Sequence, residues 1–211
     1  MVGWLLLLLT VSAQHWAIPF FLDFLDVLPL ESVAAPCSPE SSQASKIMSD
    51  DINSSDRTRL IQTLIVDPAT ACILLGYHTS GTFAGNYTGL LGYANDGEEP
   101  GDAGRRIVME LSGLVVDELE LRGIFTFRDD QNGDEDEYEF FCEGYSGQLR
   151  ESESMRLEWI AVNEIPYEKM PADDEIWYPA FLEGKKLRGQ FDLSPDMREL
   201  LSYDLIEVEN F

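Results

Sequence analysis

At 211 residues, 45% hydrophobic and 11% aromatic, the chain has material for one packed core and a modest extension. Its net charge of −25 excludes DNA, RNA and anionic membrane as partners, because a polyanion binder carries the opposite sign. Small anionic substrates stay open, since a bound cation can screen them locally. Cys37, Cys72 and Cys142 form an odd set with no C-x-x-C pair, which argues against a disulfide framework or a zinc site. His15 and His78 accompany no nucleophile-bearing motif and read as incidental.

The chain opens MVGWLLLLLTVSAQ, a short apolar run followed by small residues at Val11, Ser12 and Ala13. That is the outline of a secretory signal over Met1–Ala13, although Lys and Arg are missing from its first residues. A second run, AIPFFLDFLDVLPL, is interrupted by Asp23, Asp26 and two prolines, so no stable membrane span is expected. Residues 31–58 are rich in Ser, Asp and Pro and read as a disordered linker. Met48 offers an alternative start. The expected division is a signal-like segment plus linker over 1–58 and one domain over 59–211. Asn53 and Asn86 head N-x-S/T sequons that matter only in a secreted chain, and Asn86 would sit at a pocket mouth.

From Arg59 the pattern alternates strands and helices. RLIQTLIVD and TACILLGY are aliphatic, β-branched runs joined at Asp67-Pro68. A helix is expected over 100–112, with Pro100 at its first position, Glu98 and Glu99 beside its positive end, and Gly113 closing it. LVVDELELRGIFTFR and EYEFFCEGY read as two strands around an acidic loop, and RLEWIAVNEI as another. A helix over 173–183 and the strands LRGQFDL and YDLIEVE finish the domain. The fold class is therefore α+β, a mixed β-sheet flanked by two main helices.

Three tempting motifs fail on their chemistry. RDDQNGDEDEYE spaces Asp130, Asn132, Gly133 and Glu139 like a calcium loop, but puts Arg128 where the ion needs a carboxylate. GTFAGNYTG lacks the Lys-Ser/Thr ending of a P-loop. Lys185, Lys186 and Arg188 read as a surface patch offsetting local acid.

Between Gly92 and Leu114 the chain reads GYANDGEEPGDAGRRIVMELSGL. A helix can turn several carboxylates to one face at i, i+3 and i+4, a donor set suited to a hard divalent cation. Here those positions are Ile107, Glu110 and Leu111, so one carboxylate stands where three could. The stretch resembles the Nudix box, G-x5-E-x7-R-E-U-x-E-E-x-G-U, with Gly92, Glu98, Arg106, Val108, Glu110, Gly113 and Leu114 in register and Ile107 and Leu111 replacing two metal-site glutamates. An ordinary apolar stripe of Ile107, Val108, Leu111 and Leu114 is the plain alternative.

The resemblance extends through EWIAVNEIPYEKMPADDEIWYPAFLEGKKLRGQF to the eukaryotic oxidised-purine nucleoside triphosphatases, relatives of MutT. It implies a Nudix α/β/α sandwich, magnesium as cofactor, a purine nucleotide as ligand, a monomer and a cytoplasmic location, with the secretory pathway as the alternative if Met1–Ala13 is a signal. It implies that Arg106 braces the loop carrying Gly92 and Glu98, that Glu98 and Glu110 are the acids left for metal, and that Asp173 and Asp174 read the base edge. Trp177 and Phe127 would wall the base. Thr88 stands where the subgroup has asparagine, Pro171 where it has a second tryptophan, and Ser154 where it has a further metal-site glutamate. Glu153, Asp96 and Asp102 are nearby acids that could substitute. Core packing is the competing role for Trp177 and Phe127, and helix N-capping for Asp173 and Asp174. Two functions follow: a weak metal-dependent hydrolase yielding monophosphate and pyrophosphate, or an inactive module binding a nucleotide or protein.

Overall fold

The structure, a computed structural model, describes residues 57–128, 133–150 and 155–211. The expected signal-like segment and linker up to residue 56, the Asn53 sequon, Glu153 and Ser154 lie outside the described residues, while Thr58, the last residue expected in the linker, opens the first strand.

The fold is built around β1 (Thr58–Asp67), in which six consecutive residues from Leu60 to Ile65 are buried. A strand reads this way when both faces of its sheet are covered. Alternate side chains divide between the faces. Ile61 and Ile65 pack under one helix, and Leu64 under the other. β2 (Cys72–His78) runs beside β1, β3 (Tyr87–Thr88) beside β2, and β4 (Leu90–Tyr93) beside β1. Helix α1 (Pro100–Ser112) leads into β5 (Leu114–Val116), β6 (Glu120–Phe127), β7 (Glu135–Cys142), β8 (Tyr145–Gly147) and β9 (Met155–Ala161). Two single 3-10 turns precede α2 (Asp174–Leu182), and β10 (Lys186–Leu193) and β11 (Leu200–Val208) close the chain.

The main sheet runs β11-β10-β6-β7-β1-β2-β3, with β4 also on β1 and β9 also on β2. The β1–β7 and β10–β6 pairs are parallel and the others antiparallel, so the sheet is mixed, as expected. On one face Ala103, Ile107 and Val108 of α1 meet Ile61, Ile65 and Phe140. On the other, Trp177, Tyr178 and Phe181 of α2 meet Leu64, Phe125, Phe141 and Phe191.

Helix α1 has the limits its punctuation dictates. Pro100 starts it, and Gly113 ends it in the left-handed region at φ 72°, its N–H donating to the Met109 carbonyl. Gly104 inside the helix permits close approach to β1 and to the β5–β6 connection, since a Cβ there would meet Thr63 at 3.4 Å and Leu119 at 2.9 Å. The stretch expected as a single strand from Leu114 to Arg128 is two. β5 leaves to pair with β8 in a separate two-stranded sheet, and Arg105 holds the break by donating from Nε and Nη2 to the Asp117 carbonyl at 3.2 and 3.1 Å. The short strands β3 and β4 have no counterpart in the sequence reading.

Candidate functional site

The box folds as a loop running into α1, and Arg106 fastens the two together. Its Nε donates to Glu98 Oε1 at 2.9 Å, and its Nη2 donates to Glu98 Oε2 and to the Tyr93 carbonyl, each at 2.8 Å. Nη1 donates to Glu110 Oε2 at 3.1 Å. Glu98 also accepts from the Asn95 N–H at 2.8 Å, closing the loop on itself. This paired guanidinium is the first cause that holds the Glu98 carboxyl down at about 2. Gly92 sits over Ile107, where a Cβ would meet the isoleucine side chain at 3.2 Å.

The residues present do not fit a metal in the box. Glu98 and Glu110 are both held by one guanidinium. Ile107 is 3% exposed and packs with Ile61, Ala103 and Phe140, while Leu111 bridges two parts of the core. Asp102 is turned toward Arg105. Among the described residues, no three His, Cys, Asp or Glu side chains gather into a group that could hold an ion. The helix face that would present carboxylates has become apolar packing against the sheet.

The opposite face of the sheet carries a cavity of about 790 Å³. Thr88, Phe127, Asp173 and Asp174 line it, together with Pro171. Tyr93 lines it too, and its carbonyl is the one bound by Arg106, which joins the cavity to the box loop. Phe127 is half-buried and stacks on Phe191 at 5.6 Å between ring centroids. Thr88 is positioned by its hydroxyl, which donates to the Gly89 carbonyl at 2.8 Å and so accepts from His78 Nε2 at 2.8 Å. His78, read as incidental in the sequence, therefore sets a cavity residue.

Trp177 requires a correction. It is absent from the cavity lining, only 1% exposed, and packed against Phe125 and Tyr178 with centroids 5.2 and 4.3 Å away. Core packing is its setting: Trp177 shares a helix face with Asp173 but lies one turn further along α2, where Phe125, Tyr178 and Phe181 close around its ring. Its indole still reaches the site by donating Nε1–H to Asp173 Oδ2 at 3.1 Å. N-capping, by contrast, does not account for Asp173. Asp173 occupies the N-cap position of α2 but makes no side-chain capping bond.

The floor of the cavity holds acids to which the sequence reading gave no part in the site. Glu137 on β7 lines the cavity, and Glu139 lies two residues along the same strand face. Gln62 accepts the Gly89 N–H at 2.6 Å, which turns its amide nitrogen to donate to both oxygens of Glu139 at 3.2 and 3.1 Å. Glu137, Glu139, Asp173 and Asp174 are each no more than 7% exposed. Burial, with mutual repulsion added for Glu137, Glu139 and Asp174, raises all four carboxyls: Asp173 to about 6, Glu137 to about 8, and the other two well above their ordinary values. The available signal was EDEYEFFC itself, where acids alternate along a strand whose neighbours are aromatic.

No family model matches the chain. It is 34% identical over 155 residues to an oxidized purine nucleoside triphosphate hydrolase of Mus musculus, spanning 73% of this chain and 99% of that protein. A protein of the same description from Danio rerio is 35% identical over 152 residues, spanning 72% and 96%. An uncharacterized Nudix hydrolase, YvcI of Bacillus subtilis, is 33% identical over 121 residues, spanning 54% and 75%. Among solved structures, the mutator MutT protein of Bacillus halodurans superposes with a TM-score of 0.61 at 27% identity, covering 70% of this chain and 97% of that one. With the box spacing, the mixed sheet between two helices and these likenesses together, the chain belongs to the Nudix hydrolase family and lies near its oxidised-purine nucleoside triphosphate hydrolases.

Proposed function

We propose that this chain keeps a purine-binding pocket of the family on a box whose hydrolytic part is degenerate. Asp173 and Asp174 offer acceptors to a base edge, Phe127 offers a ring face, and Trp177 steadies Asp173 from behind. Arg106 and Glu98 keep the box loop in place. Splitting a triphosphate into monophosphate and pyrophosphate would need a divalent ion such as magnesium, for charge neutralisation and an activated water, and the box residues as placed do not fit one. The burial of Ile107 carries the reading that this step is weak. It removes a ligand position and fills it with core, which favours the binding-module reading over an efficient enzyme.

Pyrophosphate release from 8-oxo-dGTP with magnesium tests this on the full chain beside the Mus musculus relative. Losing about 3 kcal/mol of charge stabilisation corresponds to about a hundredfold in rate, so turnover at or below one hundredth of the relative's is expected. Equal release by the two proteins would overturn the degenerate-box reading. We infer a monomer in a compartment without N-glycosylation. Asn86 is 6% exposed, so a glycan there would clash with the folded domain. No helix among the described residues is long and apolar enough to cross a membrane.

A further inference from the structure

The cavity is built for a ligand of different charge from a nucleoside triphosphate. Its lining holds one cation among the described residues, Arg128. Arg128 already donates from Nη2 to Gln190 at 2.6 Å and stands 3.9 Å from Asp192. Arg106, the cation of the adjoining box, is paired with Glu98 and Glu110. The positions that would recruit a metal to screen phosphates are Ile107 and Leu111. Among the described residues, a triphosphate entering here would meet acid and no cation that lacks a partner.

The floor presents the reverse. Asp173 Oδ1 and Asp174 Oδ2 are buried and accept no hydrogen bond, in residues that are 2% and 3% exposed and line the cavity. Buried acceptors without donors cost free energy until something supplies an N–H. Glu137 lines the same floor, and Gln62 neutralises no charge although it satisfies Glu139. Four carboxyls so close in a desolvated site resist ionising together, and a cation between them relieves both the desolvation and the repulsion. Carboxylates take planar, forked N–H donors best, two parallel bonds at a time. Phe127 and Phe83 in the lining supply ring faces for a flat group.

We propose that the cavity takes a planar, phosphate-free organic cation whose amidine or guanidine edge docks on Asp173, Asp174 and Glu137. This rests on the reading that the cavity accepts a flat base edge-on, and changes the charge and the tail of what is accepted.

Titration calorimetry of the full chain near pH 7 tests it with benzamidine as the cationic probe and benzamide as its neutral isostere. Guanosine and 8-oxo-dGTP serve as probes of the underlying reading. Benzamidine should bind about thirtyfold more tightly than benzamide, and guanosine more tightly than 8-oxo-dGTP. Glu137→Gln and Asp174→Asn should each remove most of the benzamidine preference, with melting curves showing both variants folded. If one variant fails to fold, the other carries the same comparison, and the wild-type benzamidine to benzamide ratio needs no variant. Equal binding of benzamidine and benzamide, or none of either, would overturn the cation while guanosine binding left the purine pocket standing. A strong benzamidine preference with no binding of guanosine or 8-oxo-dGTP would uphold the cation and end the purine reading. Tighter binding of 8-oxo-dGTP than of guanosine would also overturn the phosphate-free assignment.

Discussion

Glu137 and Asp173 make the domain's stability depend on pH in a direction their burial decides. Their folded-state carboxyls sit at about 8 and about 6, above the ordinary 4.5 and 3.8. Raised carboxyls take up protons on folding, so their stabilising contribution is complete below the unfolded values and is lost as pH rises through the folded ones. Glu98 runs the other way. Held at about 2 by Arg106, it contributes above 4.5 and is lost only as pH falls through about 2. The melting temperature of the full chain should therefore fall between about pH 4 and about pH 8, most steeply between about 4.5 and 6, where both groups have lost their protons in the unfolded chain and keep them in the folded one. Glu137→Gln should flatten the upper part of that fall, because an amide has no proton to lose. A melting temperature that is level across the window in the wild type would mean that these carboxyls are not desolvated as the structure has them.

Helix α1 shows which elements a sequence makes legible. Pro100 and Gly113 punctuate it at both ends, so its limits could be read residue by residue. The break between β5 and β6 could not, because a lone Asp117 is the only turn-favouring residue there, apolar residues resume at once with Leu119 and Leu121, and the strands part through tertiary pairing with β8. β3 and β4 were hidden for a different reason. At two and four residues they are too short to show an alternating pattern, and pairing of β3 with β2 and of β4 with β1 makes them strands. The same helix tests whether the lost metal site is recoverable. Ile107→Glu would place an unpaired carboxylate among Ile61, Ala103 and Phe140, at a cost of about 3–5 kcal/mol. The urea midpoint should drop by more than about 1 M, with Leu111→Glu, at a partly exposed position, costing less. A folded Ile107→Glu protein of unchanged midpoint that gained magnesium affinity would show that face to be open after all.

For the molecule as a whole, the site was half legible. Asp173, Asp174, Phe127 and Thr88, all named from the sequence, line one cavity. Glu137, Glu139 and Gln62 did not show, since burial of an acid is a property of the sheet's two covered faces and not of the strand's own composition. We expect residues 57–211 to fold without the first 56, because β1 finds all its pairing partners within that span. A truncated protein lacking a cooperative melt would place part of the core upstream. The remaining prediction concerns charge. With 39 acidic against 14 basic residues, the folded surface repels itself, and repulsion between exposed charges acts over about 10 Å at 0.1 M salt. Salt also weakens the exposed ion pairs, but each such pair contributes about 0–1 kcal/mol, and few basic residues are present to form them. Repulsion should win, so raising sodium chloride from about 20 mM to about 500 mM should raise the melting temperature by several degrees at pH 7. The buried carboxyls are shielded from ions, so Glu137→Gln should leave the salt response unchanged while altering the pH response. A melting temperature that falls with salt would mean that paired charges such as Arg106–Glu98 outweigh the excess acid, and that the brace of the box loop is a larger part of the fold's stability than its single guanidinium suggests.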